Sequence, residues 1–134
     1  MRNPLQNDAL GKLILRLTVG LLILFHGTFK ILNPGSLDFI KTKLAAIDLP
    51  TALAYGVYVG EVVAPLMIIL GIFSRIGGLL VFGNMIFALL LVHRSELFTL
   101  TDTGGWKLEL QAFYLFSGLA ILFLGSGKMA IRPD

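Results

Sequence analysis

Six residues stand apart from their surroundings in chemical type: Arg16, His26, Lys30, Glu61, Asn84 and Glu109. Each lies within or at the edge of a long apolar stretch. A polar or ionisable side chain held there is costly, so it marks a functional site with a partner. His26 and Lys30 are four residues apart and share one face of a helix. Imidazole and carboxylate carry protons, and an ammonium favours an anion. His26, Lys30, Glu61 and Glu109, with Asn84 as a floor, therefore form a set able to hydrogen-bond a quinone head group or another small polar molecule entering from lipid. In that reading His26 and Glu61 bind the head group or relay its protons, and Lys30 favours an anionic intermediate. His26, Glu61, Glu109 and His93 are also ligand types for a metal. No ligand-spacing motif joins them, and no metal is expected. Nor is there a nucleophile–base arrangement, a phosphate loop or a dinucleotide fingerprint.

Plainer roles exist for each residue. Lys30, His93, Arg94 and Lys107 can extend to the membrane interface, as Arg16 can at the other side. His26 can donate to a backbone carbonyl, Glu61 can pair with Arg16 or Lys30 as a structural bridge, and Glu109 can stabilise a helix N-terminus.

The elements that must position these residues follow from composition. Apolar residues make up 56% of the 134 and charged residues 14%, against about 25% charged in a typical soluble domain. A chain this short cannot hide so much apolar side chain from water, which leaves a membrane protein in contact with the lipid bilayer. Disorder is excluded on the same grounds. The absence of cysteine excludes disulfides, iron–sulfur clusters and thiol redox chemistry in the chain itself. The net charge of +3 is explained by basic residues flanking spans, so no nucleic acid partner is expected.

Continuous rather than alternating apolar runs predict helices. The fold class is all-α: one membrane domain, a polytopic bundle of four transmembrane helices over about 13–32, 52–73, 76–93 and 106–125. At ~1.5 Å per residue, Glu61 and Asn84 fall near mid-membrane. His26 lies roughly 5 Å toward one side, and Lys30 and Glu109 about 10 Å toward that side. No A-x-A cleavage pattern follows the first apolar run, so an uncleaved span is expected. Basic residues are nearly balanced: Arg2, Lys12, Arg16, Arg75, Lys128 and Arg132 face Lys30, Lys41, Lys43, Arg94 and Lys107. The tight basic Ser74-Arg75 connection favours both termini in the cytoplasm.

In the first loop, Asn33-Pro34-Gly35-Ser36 is turn chemistry ending in a helix cap. Leu37, Ile40, Leu44 and Ile47 then share a helical face, predicting a short interfacial helix over about 36–48. The third loop has no such stripe and reads as an irregular cap, with Trp106 in an aromatic belt. Gly56, Gly60 and Ala64 offer a small-residue surface for close helix contact. Pro65 has no N–H for the Glu61 carbonyl, which loosens the backbone beside that carboxylate.

Read in order, Leu15-Arg16-Leu17, Phe25-His26-Gly27, Lys30, Gly60-Glu61, Leu70-Gly71-Ile72-Phe73-Ser74-Arg75, His93, Trp106-Lys107-Leu108-Glu109 and Gly125-Ser126-Gly127-Lys128 resemble the DoxX family of bacterial four-helix inner-membrane proteins. Two departures are Pro65, where the family continues with small or apolar residues, and Ser126, where it more often has proline. The resemblance implies the bacterial inner membrane and an oxidoreductase-associated membrane subunit without a redox centre of its own. Electrons would come from a membrane or soluble oxidoreductase partner or a bound cofactor; none is expected to be covalent, and quinone is the small molecule in view. His26, Lys30, Glu61 and Glu109 match the family's recurrent polar positions. A non-catalytic assembly or stabilisation factor for a membrane partner is the reading from another class. A homodimer also fits, and a small transporter would need one.

Overall fold

The computed structural model describes residues 3–134. Arg2, counted above for orientation, lies outside them. The described chain is helical, with α1 (Asp8–Leu32), α2 (Asp38–Ala46), α3 (Thr51–Leu70), α4 (Ser74–Leu91) and α5 (Glu109–Leu124). α1 begins before the apolar stretch because Asn7 caps it, its side chain accepting from the Leu10 N–H at 3.0 Å. Asn33 ends it, donating both its N–H and its side-chain amide to the Phe29 carbonyl. α5 begins at Glu109, three residues after the predicted Trp106. An isolated bridge between Leu100 and Trp106, together with the Lys107 N–H bond to the Thr99 carbonyl, holds those residues in the loop.

α1, α3, α4 and α5 run antiparallel in order and pack side by side. α4 and α5 approach most closely, because Gly78 and Gly118 each leave room only for the other helix's backbone. The core is thin and consists of residues such as Val19, Ile23, Ile68, Val81 and Ile121. Most large apolar side chains instead face outward; Phe25, Phe113 and Phe123 are each more than 70% exposed. Lipid solvates such a surface and water does not. α1, α3 and α4 are long and apolar enough to cross a membrane. α5, with 16 residues, is about 24 Å long.

α2 docks on the bundle. Leu37, Ile40 and Leu44 are buried on Ala54 and Val57 of α3, flanked by Phe87, Leu91 and Val92. Burying each such side chain contributes roughly 1.5–3 kcal/mol. Ile47, the predicted fourth member of the stripe, is exposed, because the helix stops at Ala46 and Asp48 turns the chain with a φ of 58°. Lys41 donates to the Tyr55 hydroxyl at 3.0 Å, a bond that raises its pKa above the ordinary lysine value. Ser36 does not cap α2; its hydroxyl is buried without a partner. The small-residue surface is likewise spent inside the molecule. Gly60 abuts Asn84 and Ala64 abuts Gly77, both on α4, and only Gly56 stays open.

Arg16 is 1% exposed and lies at the end of the bundle where the termini meet, away from Glu61. α3 stops at the left-handed Gly71, leaving carbonyls that the helix does not pair. The Arg16 guanidinium donates to Ile68 O (2.9 Å) and Ile69 O (3.1 Å) there, and to Ser126 O (2.9 Å) and Met129 O (2.7 Å) of the C-terminal tail. Arg75 does the same for α5, donating to the carbonyls of Leu122 and Phe123. The tail is stitched back by Ile131 N–H to Leu70 O and Arg132 N–H to Gly71 O, both 3.0 Å. The structure places Arg16 apart from the other predicted site residues: four of its five N–H donors are committed to carbonyls, and neither the interface nor Glu61 engages it.

A carbonyl buried without a partner costs about 1–3 kcal/mol. Arg16→Met is expected to lower the thermal midpoint in mild detergent by roughly 10 °C or more. Arg16→Lys should restore less than half, since one ammonium cannot span carbonyls on two segments. Size-exclusion chromatography after heating reads both, and an unchanged midpoint in Arg16→Met would remove the clamp.

Candidate functional site

Glu61 stands at the middle of α3, where the helix widens. Over Val59–Val63 it adopts π-helical geometry, and the Ala64 N–H reaches back to Val59 O. Pro65 is the local cause, because it offers no N–H to the Glu61 carbonyl. Single π turns of this kind occur often at functional sites. Two glycines let neighbouring helices close on the widened turn. A Cβ at Gly27 of α1 would collide with the Glu61 carbonyl, and one at Gly60 with the Asn84 side chain of α4.

The carboxylate is held from two sides. Lys30 Nζ lies 2.5 Å from Glu61 Oε1, and Asn84 Nδ2 donates to Oε2 at a long 3.4 Å. Tyr58 fixes the base of the lysine by donating to the Lys30 carbonyl at 3.2 Å. Coulomb attraction in a low-dielectric setting offsets the desolvation of both charges only when partners are good. The lysine supplies a charged partner and the asparagine a weak second one.

Two cavities meet at this pair. One, about 170 Å³, lies between α1, α3, α4 and α5, with His26, Lys30, Glu61, Gln111 and Tyr114 on its wall. The other, about 200 Å³, lies beneath α2, with Lys30, Ser36, Glu61 and Asn84 on its wall. His93 borders both. His26 is exposed at the α1–α5 flank of the first, its ring edge-on to Tyr114 with centroids 6.0 Å apart at 79°. Three buried polar atoms around the cavities have no hydrogen-bond partner: Ser36 Oγ, His93 Nδ1 and Gln111 Oε1. Glu96 Oε2 approaches His93 Nδ1 at 3.5 Å without hydrogen-bond geometry.

The sequence model of the DoxX family matches residues 11–94. The chain belongs to the DoxX family. The match runs from the first turn of α1 past the end of α4, and so takes in His26, Lys30, Glu61, Asn84 and His93. No curated protein and no solved structure matches.

In this DoxX-family chain the predicted polar set divides. His26, Lys30 and Glu61 border one cavity, and Lys30, Glu61 and Asn84 the other. Glu109 does not join them. It is exposed at the start of α5, where it lies against Gly105 and rims an apolar groove with Trp106, Phe113 and Phe116. The cause is again the loop, which starts α5 late and turns its first residue outward. Trp106 itself donates to the Leu97 carbonyl at 2.9 Å, tying that loop together. Among the described residues no group of three or more His, Asp or Glu is placed to share a metal ion.

Sequence reasoning missed Tyr114, Gln111 and Ser36 and left His93 at the interface. Gln111 and Tyr114 did carry a signal, since they are polar residues three apart on an otherwise apolar helix. Ser36 carried none, because its position depends on how α2 docks.

Removing one member of a buried ion pair strands the other at about 3–5 kcal/mol. Glu61→Leu and Lys30→Met are each expected to destabilise strongly, and the double variant less than either one. Denaturation of the four proteins in mixed micelles checks this, and additive losses would mean that the two charges are not coupled.

Proposed function

We propose that the protein is a bacterial inner-membrane subunit that binds a quinone, or a similar small polar molecule from lipid, beside the Lys30–Glu61 pair and works with a partner oxidoreductase. The observation that carries this reading is the position of that pair, between two cavities and next to an exposed histidine. Quinone oxygens accept hydrogen bonds, and the first cavity presents donors at Lys30, His26 and Tyr114. Its 170 Å³ is below the roughly 300–1,000 Å³ of sites that enclose a whole ligand. That suits a ring whose tail remains in lipid. His26 at the flank is the entry residue, Glu61 accepts or returns a proton, and Lys30 stabilises an anionic form of the ring. The chain contains no cysteine, so a bound quinone would exchange electrons with the partner.

In this reading α5 makes the fourth crossing and both termini face the cytoplasm. Basic residues divide evenly between the two ends, and the tight basic Ser74-Arg75 connection is what favours this orientation.

A non-catalytic assembly role is the second reading. It no longer draws on Gly60 and Ala64, which pack internally, but on an outward apolar groove of about 500 Å³ between α3 and α4. Gly56, Gly83, Leu53 and Leu79 line it, and a helix of a partner or of a second copy fits such a groove.

Purified protein in native lipid, titrated with a ubiquinone or menaquinone, is expected to bind with at least tenfold weaker affinity in Glu61→Gln and in His26→Ala. Absent binding, or equal binding by all three proteins, overturns the quinone reading. Crosslinking in native membranes tests the second reading, which fails if the protein runs alone.

A further inference from the structure

We propose that the cavity beneath α2 is a hydrated antechamber and that His93 passes protons through it between the aqueous loop face and Glu61. This inference rests on the preceding one only for the purpose of the proton, not for its route. The two cavities differ in position. The one at His26 opens on an apolar flank, whereas the one beneath α2 lies under the loop end of the bundle, between α2 and the chain leaving α4. Its wall carries Ser36 and His93, each with a buried polar atom that no protein group satisfies. Buried polar atoms are rarely left unpaired, and ordered water is the usual remedy where there is room and several polar partners exist. Here Ser36, Asn84, Lys30, Glu61 and His93 supply the partners. A volume of 200 Å³, at about 30 Å³ per molecule, holds several waters.

His93 is the one imidazole on this wall, and imidazole is the side-chain type best suited to passing protons. The ionisable groups arranged around it are Glu96 on its own turn, Lys30 and His26 on α1, Glu61 on α3 and Tyr114 on α5; the turn before α2 contributes the uncharged Ser36, and α2 only Phe39 and Ile40. In the step itself, water at the loop face protonates the imidazole. The imidazolium then gives a proton, through chamber water, to a Glu61 carboxylate oxygen, and returns to neutral. No electron moves. Protonated Glu61 no longer neutralises Lys30, whose ammonium becomes free to hold an anionic ring in the other cavity.

The test uses the full chain in phosphatidylethanolamine–phosphatidylglycerol vesicles with no quinone added. A rapid pH jump is followed by the infrared carboxyl band of Glu61, assigned by its loss in Glu61→Gln. The band is expected to relax at least tenfold more slowly in His93→Gln and His93→Ala, both with near wild-type thermal midpoints. Added imidazole should restore the rate in His93→Ala, where the removed ring leaves space. A wild-type rate in both variants, a slowed rate that imidazole does not restore, or no Glu61 band between pH 4 and 9 overturns the proposal. Quinone binding measured in parallel separates the two readings. A lost relay with intact binding leaves the ligand site standing, and lost binding with an intact relay leaves the proton route standing.

Discussion

The structure depends on one rule of the bilayer: a backbone or side-chain polar group inside it has to find its partner within the protein. The helix ends at the base of the bundle answer to that rule. Where α3 ends at Gly71, the freed carbonyls of Ile68 and Ile69 meet the Arg16 guanidinium. The same group then recruits Ser126 and Met129 and draws the C-terminal tail across the base of the bundle. Arg75 repeats the device at the end of α5. A delocalised cation with five donors suits this task, because it places charge at the negative ends of two helices while satisfying several acceptors at once.

The opposite half of the bundle obeys the rule less completely. Glu61 has one close partner and one distant one, and Ser36, His93 and Gln111 each keep a buried atom without a protein partner. The Arg16 end leaves one such side-chain atom, Ser74 Oγ, against three around Glu61, so the two halves differ in how fully they are paired. A cluster whose donors are nearly all spent has little left to offer a ligand and serves stability. An incompletely paired one beside a cavity retains binding capacity, and this is the physical reason for placing the candidate site at Glu61 and not at Arg16.

That contrast also explains what was legible beforehand. The cost of a charge in an apolar run is visible in sequence, so Arg16, Lys30 and Glu61 were all flagged. Which of them is saturated depends on carbonyls brought in from residues more than 50 positions away, and no local pattern encodes that. Membrane class, helical fold and family followed from composition and residue order, because they depend on sums and spacings. Leu37, Ile40 and Leu44 form one buried stripe, and the helix end at Ala46 with the positive φ at Asp48 leaves Ile47 out of it. Glu109 stands apart from the other polar residues because its helix begins three residues later than the apolar pattern implies.

Pro65 shows how one covalent fact propagates from backbone to site. Without an N–H at that position α3 cannot stay regular, and the π turn at Val59–Val63 is the adjustment. The turn shifts Glu61 relative to the residues that follow, and α1 can meet it only because Gly27 has no side chain to strike the Glu61 carbonyl. Close approach at Gly27 in turn brings Lys30, three residues further along α1, within reach of the carboxylate. A regular helix with alanine at 27 would keep the same charged residues in the sequence and hold them further apart. The ion pair is therefore a product of the helix irregularity as much as of the two side chains. Pro65 falls one turn after the residue on which the candidate site is centred.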